Sequence, residues 1–83
     1  MYRVRILRRA IKDIALLPKE YARLVSRRID HLAEEPRPPD VKKLRGRTDY
    51  SLRVGVYRIL YEIDDEVHIV TVYRVKHRRE AYR

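Results

Sequence analysis

Eighty-three residues with no cysteine, and 21 Lys and Arg against 12 Asp and Glu for a formal charge of +9, describe one small basic domain spanning 1–83. Without cysteine there is neither a disulfide framework nor a thiolate metal site, and no apolar run reaches the length of a membrane span. A chain of this size buries only about 60 to 65% of its unfolded surface, so its stability is modest and a permanent partner is favoured.

Met1 to Leu7 alternates apolar and basic residues, which predicts a strand with Tyr2, Val4 and Ile6 facing a core and Arg3 and Arg5 facing out. The same stretch lacks the apolar h-region of a signal peptide, and with the missing cysteines it predicts a cytoplasmic protein. Arg9 to Leu17 carries Ile11, Ile14 and Ala15 at helical spacing, and Pro18 interrupts it. A second helix is predicted from Lys19 to about Glu34, with Tyr21, Leu24, Val25, Ile29 and Leu32 as its apolar stripe. Glu35-Pro36-Arg37-Pro38-Pro39-Asp40 is a connecting loop, because prolines remove donors and restrict the residues before them.

Beyond the loop the period becomes two. Leu52 and Val54 alternate with Ser51 and Arg53, while Tyr57, Ile59, Tyr61 and Ile63 alternate with Arg58, Leu60 and Glu62. Asp64-Asp65-Glu66 makes a turn into Val67 to Tyr73, which is rich in β-branched residues. The order β-α-α-β-β-β predicts an α+β fold, a helical hairpin on one face of a mainly antiparallel four-stranded sheet. The Tyr57 face is the core side, and the Arg58 face is partly open.

Within RVGVYR, Arg53 to Arg58, glycine stands first in a two-residue loop, as a type II′ turn prefers. That register pairs Arg53 with Arg58, their Cβ atoms roughly 5 Å apart, a destabilising arrangement unless an anion lies over them. Lys42, Lys43, Arg45, Arg47, Arg74, Lys76, Arg78, Arg79 and Arg83 add to the positive charge of this half. The field attracts polyanions, nucleic acid first and an acidic protein second; the alternative is a surface that merely solubilises. At the end of the chain Lys76, His77, Arg78, Arg79 and Tyr82 offer phosphate forks, a group that titrates near neutral pH and a ring that stacks on a base; a frayed, charged tail is the other reading. His31, His68 and His77 are scattered and no carboxylate cluster joins them, so metal catalysis is not expected. Neither is a phosphate-cradling loop, the only glycines being Gly46 and Gly55.

The elements Lys43-Leu44-Arg45-Gly46, Tyr50-Ser51-Leu52-Arg53-Val54-Gly55, Tyr57-Arg58-Ile59-Leu60-Tyr61-Glu62 and His77-Arg78-Arg79-Glu80-Ala81-Tyr82, in that order, resemble the RelE/ParE toxin superfamily of toxin-antitoxin modules, and specifically its RelE branch. The resemblance covers essentially the whole chain. It implies a RelE-like fold and a messenger RNA endoribonuclease that works in the ribosomal A site without metal or cofactor, using the RNA's own 2′-hydroxyl, and that a RelB-like antitoxin neutralises in a hetero-oligomer. By the same resemblance Arg58 binds the scissile phosphate, Arg78 stabilises the transition state or the leaving 5′-oxygen, and Tyr82 orients or stacks on the substrate. Lys43, Arg45, Ser51 and Arg79 are candidate RNA contacts.

Two departures bear on the chemistry. The prototype's pair of sheet lysines falls on Ser51 and Arg53, so its lysine general base is missing, and arginine is a poor proton acceptor. His77 is the candidate replacement. A ParE-like inhibitor of DNA gyrase and a non-catalytic RNA- or ribosome-binding module are the competing functions, the first opposed by the His77–Tyr82 tail.

Overall fold

The computed structural model describes residues 1–44 and 49–80. Among them the chain forms β1 (Arg3–Ile6), α1 (Arg8–Ala15), α2 (Lys19–His31), β2 (Lys42–Lys43), β3 (Asp49–Val54), β4 (Tyr57–Asp64) and β5 (Ile69–His77). The strands make a single sheet in the order β1-β5-β4-β3-β2, with β1 parallel to β5 and every other pair antiparallel. The α+β class agrees with the sequence pattern, but the sheet has a fifth strand. Lys42 and Lys43 pair with Ser51 and Tyr50; a strand of two residues carries no alternation to read. β5 also outruns the β-branched segment by four residues, because Arg74 to His77 stay paired with β4.

One face of the sheet builds the core. Tyr50, Leu52 and Val54 of β3, Ile59, Tyr61 and Ile63 of β4, and Val70, Val72 and Val75 of β5 pack with Ala10, Val25, Ile29 and Leu32 from the helical side. On α2 the buried row runs Val25, Ile29 and on to Leu32, with Tyr21 half-buried one turn before it, and this leaves Leu24 on its flank, 46% exposed. α1 packs through Ala10 and Ile14, one turn apart, so Ile11 points outward instead of into the core. The opposite face is less open than its composition implied. Asp49, Ser51 and Leu60 are buried there, and Asp49 accepts a hydrogen bond of 2.7 Å from the Tyr73 hydroxyl.

A β-bulge lies at that last contact. Tyr61 pairs with Val72 but Leu60 pairs with Arg74, so Tyr73 is the extra residue. Where β1 stops at Ile6, the outer edge of β5 loses its partner strand. The Asp13 carboxylate of α1 replaces it, accepting from the Val75 N–H at 2.9 Å and from Arg74 at 2.8 and 3.1 Å. Burial pushes the Asp13 carboxyl up, but the Arg74 and Val75 hydrogen bonds, with the charges of Arg74 and Arg9, outweigh it and hold the group below its ordinary value. At the other end of the sheet Arg37 forks onto Asp65 at 2.7 and 3.1 Å and donates to the Tyr50 hydroxyl, tying the proline-rich loop to the β4–β5 turn. With Tyr2 donating as well, the Asp65 carboxyl falls to about 2.

The β3–β4 turn is the tightest point of the fold. Gly55 has φ 60° while Val56 does not take a positive φ, as in a type II′ turn. A Cβ on Gly55 would lie 2.6 Å from Cε1 of Tyr21, whose ring meets Tyr57 edge-on with centroids 5.0 Å apart. Gly55→Ala therefore combines left-handed strain of about 1–2 kcal/mol with displacement of Tyr21. The expected result is a lower urea midpoint with an unchanged m-value; an unshifted midpoint would show that the turn relaxes freely.

Candidate functional site

The turn geometry decides which cations meet. With Val54 opposite Tyr57, Arg53 stands opposite Arg58, as the two-residue loop implied. On the other side of β4, Arg58 stands opposite Lys76 of β5. Three cations thus form a row across β3, β4 and β5. The Arg78 N–H donates to the Val56 carbonyl at 2.7 Å, which carries the pairing one step beyond β5 and sets Arg78 against the hairpin turn. Arg53 bends back so that its Nε donates to the Gly55 carbonyl at 3.1 Å. Arg58 is half-buried, with its Nε shielded from solvent.

Lys76 was read from sequence as part of the basic tail, not as a neighbour of Arg58. Continuing the Tyr61–Val72 register straight down the strands would put Val75 opposite Arg58. The bulge at Tyr73 moves Lys76 there instead, and no residue pattern announces it.

His77 lies on the other side of the sheet. It pairs with Tyr57, and their rings meet edge-on with centroids 5.8 Å apart, on the face that packs against the helices. Its Nδ1 accepts the Arg79 N–H at 3.3 Å, and its carbonyl accepts the Glu80 N–H at 2.8 Å, closing a turn past β5. Val56, His77, Arg78, Arg79 and Glu80 line an open depression of about 690 Å³ at this end, within the range that holds a small ligand.

Of the other candidates, Ser51 is fully buried, two positions along β3 from Arg53 and on the same face. Lys43 is exposed on β2, opposite Tyr50 and away from the hairpin turn. Arg45 and Tyr82 lie outside the described residues. The structure therefore gathers Arg53, Arg58 and Arg78 at one end of the sheet, adds Lys76, and sets His77 on the reverse face. Among the described residues no group of three His, Asp or Glu is placed to hold a metal ion, and no helix is long and apolar enough to cross a membrane.

The class of molecule is thus a small basic α+β domain whose helix-backed sheet carries a row of cations at its hairpin end. The family model described as the ParE toxin of the type II toxin-antitoxin system, parDE, matches residues 4–82. Toxin RelG of Mycobacterium tuberculosis is 38% identical to the chain over 99% of it and 97% of the relative. Among solved structures, the archaeal RelE-RelB complex from Pyrococcus horikoshii matches with a TM-score of 0.85 and 32% identity, covering 96% of this chain and 98% of that one. The toxin-antitoxin complex RelBE2 from Mycobacterium tuberculosis matches with a TM-score of 0.80 and 37% identity, covering 92% and 96%. The chain belongs to this family of type II toxin-antitoxin toxins, on its RelE-like side.

Proposed function

We propose that this toxin is an endoribonuclease that cuts messenger RNA in the ribosomal A site and is neutralised by a RelB-like antitoxin. The observation that carries the reading is the register of Arg53, Arg58 and Lys76 across three strands, with Arg78 against the same turn. Cations so aligned present a concentrated positive field to an anion, and a ribose-phosphate junction is the anion this row suits. In the reaction the RNA's 2′-oxygen forms a bond to the adjacent phosphorus while the bond to the 5′-oxygen breaks. The products are a 2′,3′-cyclic phosphate and a free 5′-hydroxyl. One proton leaves the 2′-hydroxyl and one reaches the departing 5′-oxygen.

Arg58 holds the non-bridging oxygens with its fork, and Arg53 adds charge beside it. Arg78 offsets the charge growing on the 5′-oxygen. Tyr82 is assigned to orienting the substrate, and Lys43, Arg45, Ser51 and Arg79 to RNA contact, by family resemblance. With Ser51 and Arg53 where the prototype has lysines, the rate rests on phosphate electrostatics and on positioning by the ribosome. Cleavage of free RNA is accordingly slow. The antitoxin partner is supported by the helical surface, where Leu7, Ile11, Leu16 and Leu24 are exposed among arginines. That surface suits an amphipathic acidic segment.

The test is primer extension on transcripts after induction, alongside co-purification with the product of a neighbouring reading frame. Cuts at codon positions that depend on translation are expected. The matching family model is described as a ParE toxin, and the second reading, by resemblance to the ParE branch, is inhibition of DNA gyrase. DNA damage preceding translation arrest, with intact transcripts, would establish that reading instead.

A further inference from the structure

His77 is the only side chain that holds the turn following β5 through a hydrogen bond among the described residues. The turn has two backbone anchors, Arg78 N–H to Val56 O at 2.7 Å and Glu80 N–H to His77 O at 2.8 Å. The third anchor is the Arg79 N–H on His77 Nδ1 at 3.3 Å. An Nδ1 that accepts a hydrogen bond is unprotonated, so the neutral ring carries its proton on Nε2. The lone pair that a general base would use is therefore already engaged. Moreover, the ring lies against Tyr57, on the opposite face from Arg58.

We propose that His77 is a positioning residue, a turn clasp that accepts the Arg79 amide at Nδ1 and thereby fixes Arg78 and Arg79 over the hairpin end. The activity arm of the test rests on the nuclease reading; the spectroscopic arm does not.

Asparagine places an oxygen where Nδ1 stands and does not titrate, whereas glutamine extends its oxygen toward the Nε2 position. Ribosome-dependent cleavage is measured for wild type, His77→Asn, His77→Gln and His77→Ala. His77→Asn is expected to keep the wild-type rate within about threefold. The glutamine and alanine variants should drop about five- to tenfold, the factor of one neutral hydrogen bond. A loss of about 10² or more in His77→Asn would overturn the clasp and make His77 a general base, and an unchanged rate in His77→Ala would leave it without a role. In parallel, the Arg79 amide proton is followed by NMR on the isotopically labelled chain. It should exchange with solvent at a similar rate in wild type and His77→Asn, and about five- to tenfold faster in His77→Gln and His77→Ala. Equal exchange in all four proteins overturns the proposal even if the protein cuts no RNA, whereas faster exchange in the glutamine and alanine variants with no cut product rejects the nuclease reading alone.

Discussion

Replacing Arg58 with alanine is expected to lower messenger RNA cleavage by about 10² to 10³, the scale for removing one preorganised donor from a developing anion. Arg58 is the middle member of the cationic row, with Arg53 on one side and Lys76 on the other, so it alone is flanked by positive charge on both neighbouring strands. In the proposed role its loss falls on phosphate binding, and therefore chiefly on the reaction. Arg58→Lys should restore little, since an ammonium cannot present the two parallel donors of the guanidinium. The comparison is made on programmed ribosomes, with the melting temperature as the control. Full activity in Arg58→Ala would take this residue out of the mechanism.

Asp13→Ala should produce the largest loss of stability. The Asp13 side chain is only 16% exposed and accepts from the Val75 amide and twice from Arg74. Alanine leaves a strand-edge N–H and a mostly covered guanidinium without that acceptor, a cost of about 2–4 kcal/mol. For a domain of this size the melting temperature should fall by about 10–20 °C. The same clasp gives the protein an acid-sensitive component. Folding lowers the Asp13 carboxyl below the ordinary aspartate value of 3.8, and lowers Asp65 to about 2. The stability these groups contribute is complete above the ordinary value and disappears as pH falls below it. Urea midpoints at neutral pH and near pH 2.5 measure this, and the drop should be smaller in Asp13→Ala than in wild type. Equal drops in the two proteins would mean that Asp13 is not a source of the acid sensitivity.

Local features of the sequence carried most of the architecture. The alternation of Tyr57, Ile59, Tyr61 and Ile63 with Arg58, Leu60 and Glu62 identified the core face of β4, and the glycine-first turn set Arg53 against Arg58. Features that depend on distant partners were not legible. Lys42 and Lys43 become a strand only because β3 offers an edge, and β5 runs on to His77 only because β4 is long enough to pair with it. The side of the sheet taken by His77, and the arrival of Lys76 beside Arg58, both hang on one bulged tyrosine whose hydroxyl reaches a buried aspartate across the sheet. Ile11 and Leu24 were expected inside because helical spacing alone gives a wide stripe, while the sheet beneath accepts a narrower one.

The parallel pairing of β1 with β5 joins Arg3 to Ile69 and Ile6 to Val72. The opening residues of the chain thus serve as a straightedge for the strand that delivers Lys76 and, just past its end, Arg78. Any load applied near Met1, such as a fused tag, bears directly on the alignment of the cationic end, although the two are far apart along the backbone.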